Sequence, residues 1–422
     1  MTDEHLEEVA IQTKFKQRTS LITAKSFLNT LFFSNVNSCP SLSEYSIDLE
    51  HQSSTQVTKQ AIDKRFNERT KEMLTQLLQK ILISQIKRKL PLKNEHFSEI
   101  RIMDSSDFVL SKNLSNDFPG YGGAGREAIA QIQLEYELLG GQITQLSLGS
   151  ALDADAKAGM KHIEEIPKKA LLIRDLGYNS PKAFKELTKR DIYFVSRAKA
   201  QWSMYEQKNG SLNKITVEDI KAKLKESNTK YLDLEILVGQ QTLTPVRLIA
   251  NFLTEEQTCK RIKKKKANRG SLSKLGQESA CLNLFVTNIE KEKCNAEKVY
   301  QLYSLRWQIE LIFKTWKSMM RIHKIHPMSG IRVQCVMLIK FIWVMLNWSL
   351  LKLTEEVIGS EISLHKMTRT IFGRSNLLNP STLENPERFI LWLENLFRLS
   401  RKYHLKEYKK GSKKYADILS KY

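Results

Sequence analysis

Residues 303–317 read Tyr-Ser-Leu-Arg-Trp-Gln-Ile-Glu-Leu-Ile-Phe-Lys-Thr-Trp-Lys, and four of them carry the groups of phosphodiester chemistry: Tyr303, Arg306, Glu310 and Lys317. An α-helix turns about 100° per residue, so these spacings bring all four side chains within about 60° of one another. Leu305, Ile309, Ile312, Phe313 and Trp316 gather on an adjoining face and predict a buried stripe. A carboxylate beside a phenol, a guanidinium and an ammonium is half of a metal-dependent phosphodiester site. The same composition also suits an ordinary amphipathic helix with i,i+4 charge pairs, so the rest of the chain must decide.

The spacing Tyr-x2-Arg-x3-Glu-x6-Lys, with Trp307 and Ile309 inside it and the strand-like Phe285-Val286-Thr287-Asn288 before it, resembles the signature of the IS-four family of insertion-sequence DDE transposases. The resemblance implies an α/β fold: an RNase-H-like mixed sheet, interrupted by a β-strand-rich insertion, with helical N- and C-terminal regions. It also implies that Glu310 is the third of three catalytic carboxylates. Such a triad holds two Mg²⁺ ions about 4 Å apart, with Mn²⁺ as a substitute, and clamps the attacking and leaving oxygens of an in-line displacement.

Asp104 suits the first position. It follows Ile102-Met103, precedes Ser105-Ser106, and lies between the expected strands Glu99–Met103 and Phe108–Leu110. Asp107 follows two serines and ranks below it. Asp175 suits the second, after the apolar Ala170-Leu171-Leu172-Ile173. Asp175-x-Gly177-Tyr178 resembles the family's Asp-Arg-Gly-Tyr, with Leu176 where Arg is usual, and Phe194–Arg197 resembles the strand that follows. Asp104 and Asp175 are 71 positions apart, and Asp175 and Glu310 are 135 apart, room for an insertion before the last helix. Alone, an Asp after a strand usually caps or turns the chain. Tyr303, Arg306 and Lys317 are expected to grip DNA phosphates and end bases.

The organisation that positions these residues is expected to run as follows. Residues 1–98 form a helical DNA-binding region, residues 99–200 the first part of the catalytic core, 201–292 the β-rich insertion, 293–330 the closing helix and 331–422 a helical region suited to dimerisation. Candidate helices Ser41–Gln52 and Thr55–Phe66 resemble a helix-turn-helix that displays Thr58, Lys59, Gln60, Lys64 and Arg65 to DNA, ahead of an amphipathic stretch from Glu68 to Leu90. Ile129–Leu139 and Gln142–Leu148 alternate around Gly140-Gly141, a hairpin signal. Lys260–Lys266 reads as a mobile charged loop or a nucleic-acid backbone contact. The chain ends in a basic tail, Arg401–Lys414.

Bulk properties agree with a folded protein that meets polyanions. Its 422 residues carry a net charge of +21, with 41% hydrophobic residues. Five cysteines without a Cys-x2-Cys pair argue against a disulfide framework or a structural zinc site. The apolar run Cys335–Leu353, broken by Lys340 and Asn347, reads as a buried helix, so no membrane is expected. A bacterial cytoplasmic, nucleoid-associated setting fits. Gly120-x-Gly122-x-x-Gly125 lacks the strand and helix of a dinucleotide site, and His323-x2-His326 lacks partner ligands. The expected partners are double-stranded DNA, as terminal inverted repeats and target, and a second copy of the chain in a synaptic homodimer. The competing functions are a non-catalytic sequence-specific DNA-binding protein and a metal nuclease without strand transfer. The only tryptophan of 201–292, Trp202, stands at its start. That leaves open a hairpin intermediate, for which family members place a Trp there.

Overall fold

Polar caps start most of the helices. Thr23 with Ser26, Ser41 with Glu44, Thr216 with Asp219 and Thr254 with Gln257 form reciprocal capping boxes, and Ser180 precedes Pro181 at a helix start. These contacts come from a computed structural model, which describes residues 3–35, 39–54, 56–86, 96–153, 159–160, 163–373, 382, 385–408 and 417–418. The expected basic tail beyond residue 408 and the end of the Glu68–Leu90 stretch lie outside the described residues.

Ten strands form one mixed sheet: β1 (Ile100–Val109), β2 (Ile129–Glu137), β3 (Ile143–Ser150), β4 (Leu171–Arg174), β5 (Tyr193–Arg197), β6 (Met204–Lys208), β7 (Ser211–Ile215), β8 (Leu232–Val238), β9 (Thr244–Phe252) and β10 (Leu282–Thr287). Their order is β3-β2-β1-β4-β5-β10-β9-β8-β6-β7. The β1–β4 and β4–β5 pairs are parallel and the other pairs antiparallel. The hairpin expected at Gly140-Gly141 joins β2 to β3, and Gly141 takes a positive φ that suits glycine.

Two apolar layers cover this sheet. On one face Ile102, Leu134, Ile173, Val195 and Phe285 join a large core with the N-terminal helices α1 (Asp3–Gln12) to α5 (Glu68–Ile83) and the Gly330–Ile358 helix. That helix is long and apolar enough to cross a membrane, but its apolar window is 78% buried inside the protein. On the other face Leu172, Phe194, Leu248 and Val286 pack with Phe184 and Leu187 of the Pro181–Lys189 helix and Ile220 of the Val217–Glu226 helix. Trp202 meets Phe184 edge to face here, at 5.6 Å.

Four local expectations need correction. β1 is one continuous strand, because β2 pairs with it residue by residue from Arg101 to Val109 and satisfies the backbone of the polar Ser105-Ser106-Asp107 segment. The Lys260–Lys266 run is not a loop. It lies in the Glu255–Arg269 helix, which the Thr254–Gln257 capping box starts and in which lysine is a good helix former. Helix α4 covers only Lys59–Arg65, and Thr58 uses its hydroxyl to cap it. Finally, Tyr303–Lys317 is two helices, Ala296–Ser304 and Trp307–Ser318. At the junction the backbone tightens to i→i+3 bonds, from the amides of Leu305, Arg306, Gln308 and Ile309. Such a turn brings side chains i and i+3 into line, here Tyr303 and Arg306.

Candidate active site

Parallel pairing of β1 with β4 ends at Met103 opposite Arg174, so the next residues of the two strands are Asp104 and Asp175. Strand alternation places Asp104 on the face of Ile100 and Ile102, where the Trp307–Ser318 helix packs on β1. Ile309, Ile312, Phe313 and Trp316 are buried and hold that helix down, which leaves the polar row of the 303–317 segment directed at the strand ends.

One guanidinium gathers two of the carboxylates. Arg306 Nη1 donates to Asp104 Oδ2 at 2.7 Å and Nη2 donates to Glu310 Oε1. Tyr303 Oη donates to Asp175 Oδ1 at 3.2 Å. Lys317 Nζ reaches the Asp107 carbonyl on the same strand at 3.1 Å. Thus Asp104, Asp175, Tyr303, Arg306 and Glu310 are brought together by two strands and a helix–turn–helix segment, and Lys317 sits further along β1 beside Asp107. The Asp107 carboxylate instead accepts the Tyr121 hydroxyl at 2.9 Å.

Electrostatically the cluster is unbalanced. Burial pushes the Asp104 carboxyl up to about 6, helped by the nearby Asp175 and Glu310. Arg306 and the Ser105 amide, 2.9 Å away, oppose this without reversing it. Tyr303 is raised by burial and by Asp175. Burial works against the Arg306 cation, but Tyr303 and the three carboxylates hold it well above its ordinary value. Burial lowers Lys317.

A divalent cation suits this donor set. The donors are carboxylate oxygens, the ligands Mg²⁺ prefers, and Asp104 and Glu310 share the single guanidinium of Arg306. Among the described residues no three acidic, His or Cys side chains already form a metal cage. Arg306 stands between Asp104 and Glu310, and its Nε is buried without a partner.

Other expected contacts lie elsewhere. Lys59, Gln60 and Lys64 are exposed on α4, which packs on α3 (Leu42–Ser53). Arg65 is half-buried over the Phe15 ring and donates to Ser20 Oγ at 2.5 Å. The sequence reading missed a buried support behind the cluster. Arg174, adjacent to Asp175, donates to Glu135 Oε1 at 2.8 Å and to the Gly159 carbonyl at 2.6 Å. Tyr178 donates to Gln133, Gln133 to Gln131 and Gln131 to Ser105, a chain that ends beside Asp104. The alternating Gln131, Gln133, Glu135 and Glu137 of β2 were its visible signal.

A mixed sheet whose strand ends meet a Tyr-x2-Arg-x3-Glu-x6-Lys helix defines a class. A family model described as a transposase DDE domain matches residues 95–346, and the chain belongs to the DDE transposases of the IS-four family. It is therefore an enzyme of DNA cleavage and strand transfer, and the family depends on divalent metal in general. The chain is 31% identical to the transposase for insertion sequence element IS1151 of Clostridium perfringens, over 84% of this chain and 79% of that protein. It is 29% identical to the transposase for insertion sequence element IS231F of Bacillus thuringiensis subsp. israelensis, over 99% of this chain and 93% of that protein. The IS231B transposase of Bacillus thuringiensis subsp. berliner is 28% identical over the same shares.

Proposed function

We propose that the chain catalyses cut-and-paste movement of an insertion sequence, with Asp104, Asp175 and Glu310 as the ligands of two Mg²⁺ ions. The observation that carries this reading is the meeting of the three carboxylates, from β1, the end of β4 and the Trp307–Ser318 helix, around Arg306 and Tyr303. In this reading β1, β4 and β5 belong to an RNase-H-like core, and the strands between β5 and β10 form the insertion.

Bound among the three carboxylates, the ions supply Lewis-acid polarisation of the phosphate and activation of the attacking water or 3′-hydroxyl. The protein's own groups position the DNA. Arg306 moves from Asp104 and Glu310 to a phosphate oxygen, a planar donor well matched to that partner. Tyr303 keeps Asp175 oriented, and Lys317 neutralises a neighbouring phosphate. The same site first frees the element's 3′ end and then joins it to target DNA.

Lys59, Gln60, Lys64 and the edge of Arg65 serve as contacts of an N-terminal region (1–98) to the terminal inverted repeats. The helices of 331–422 supply the contact of a synaptic homodimer that pairs two ends. The protein works on nucleoid DNA in the bacterial cytoplasm. The test is cleavage and joining of terminal-repeat duplex with Mg²⁺, comparing wild type with Glu310→Ala. Loss of both steps in the variant is expected. Equal cleavage by the two proteins refutes the assignment, and wild-type cleavage without joining shows a nuclease.

A further inference from the structure

Most half-buried or buried arginines on this sheet or packed against it face a carboxylate. Arg174 and Arg101 share Glu135, Arg247 pairs with Asp233 at 2.6 Å, and Arg306 has Asp104 and Glu310. Two do not. Arg197, at the end of β5, donates through Nη2 to Asn283 Oδ1 at 2.9 Å. Arg261, from the Glu255–Arg269 helix, donates through Nη2 to that same oxygen at 2.6 Å. Its Nη1 holds the carbonyls of Leu282 and Ala280 at 2.7 and 3.2 Å. Neither guanidinium makes an ion pair among the described residues.

Two like charges on one neutral acceptor, both partly removed from water, repel each other and lack a counter-ion. Burial and then the Arg197 charge bring the Arg261 guanidinium down to about 10. The location gives this excess charge a direction. Arg197 lies opposite Phe285 in the β5–β10 register, and the Phe285 ring packs 4.9 Å from that of Tyr303, whose hydroxyl donates to Asp175, so the pair adjoins the carboxylate cluster. Beyond it, Lys263, Lys264 and Lys266 are exposed along the same helix.

We propose that Arg197, Arg261 and Asn283 form a second phosphate-binding subsite, which holds a backbone phosphodiester of the DNA whose scissile bond lies at Asp104, Asp175 and Glu310. The exposed lysines extend its field along the strand. This rests on the reading that the carboxylate cluster works on DNA. The amide of Asn283 holds the two guanidiniums side by side, and a phosphate supplies the missing negative charge with oxygens for both.

The test is binding of a labelled duplex carrying the element's end, followed by fluorescence anisotropy over a series of NaCl concentrations in EDTA, where no cleavage occurs. Arg197→Gln and Arg261→Gln are each expected to weaken binding roughly 3- to 10-fold and to reduce the slope of log affinity against log salt by about one. Arg261→Lys, which keeps the charge, is expected to restore the slope. Because Arg261 also ties down two carbonyls, thermal melting accompanies each variant. Wild-type affinity and slope in Arg197→Gln, whatever Arg261→Gln does, overturn the subsite. Binding by wild type without cleavage when Mg²⁺ is added sinks the catalytic reading instead and leaves the subsite to be judged on its own slopes.

Discussion

The two faces of β1 and β2 both bury carboxylates, and they treat them in opposite ways. On the rear face Glu135 accepts from Arg174, Arg101 and Thr144. Burial alone would raise its carboxyl, but the two guanidiniums more than reverse that and leave it below the ordinary range. On the front face Asp104 has one guanidinium, shared with Glu310, and two acidic neighbours, and it is pushed up to about 6. At the rear one carboxylate takes two guanidiniums, whereas at the front two carboxylates share one. A carboxylate whose partners outweigh its burial serves the fold; one whose burial outweighs its partners is a candidate functional group.

The comparison breaks most visibly in catalysis. Asp104→Asn or Asp175→Asn is expected to lower Mg²⁺-dependent cleavage on the order of a thousandfold, as loss of several kcal/mol of transition-state stabilisation implies; a gel assay on end-bearing duplex reads it. Next in size is the rear face. Glu135→Ala leaves Arg174 buried without its carboxylate and is expected to cost about 3–5 kcal/mol in denaturant unfolding. A change below about 1 kcal/mol would erase the contrast.

A smaller effect has the opposite sign. Burial pushes the Asp104 carboxyl up from its ordinary value near 3.8 to about 6 in the fold, so the native state is expected to hold the extra proton between those values. Metal-free stability therefore falls as pH rises from about 4 to about 6, by on the order of 2–3 kcal/mol from this group. Asp104→Asn removes that slope, and its melting temperature in EDTA at pH 8 is expected to equal or exceed that of wild type. A clear drop would show that Asp104, like Glu135, is a structural charge. Smallest is Tyr303→Phe, which removes one hydrogen bond to Asp175 and is expected to cost about 1 kcal/mol of stability, read by thermal melting.

The helical row at Tyr303–Lys317 was legible because periodicity survives any packing, and the alternating hairpin was legible for the same reason. The break at Leu305–Arg306 was not, since no Gly or Pro marks it and the dihedrals stay helical. β1 was read as two pieces because Ser105-Ser106-Asp107 lacks the apolar alternation of a strand, although the backbone pairing with β2 never stops. The run of lysines masked a helix whose Thr254-x-x-Gln257 cap was present in the sequence. The Glu135–Arg174 pair joins residues 39 positions apart, and the Arg197–Asn283–Arg261 cluster joins three separate elements. Neither follows from local spacing. The candidate carboxylate triad, spread across larger gaps, was named only because the family resemblance supplied its order.

The most direct test of the front-face account is Mn²⁺ binding in the presence of end-bearing DNA, followed by electron paramagnetic resonance of the free ion. Wild type is expected to bind Mn²⁺, with Glu310→Gln and Asp104→Asn losing that binding. Equal Mn²⁺ affinity in all three proteins would contradict the proposal that these carboxylates are ligands of a divalent cation.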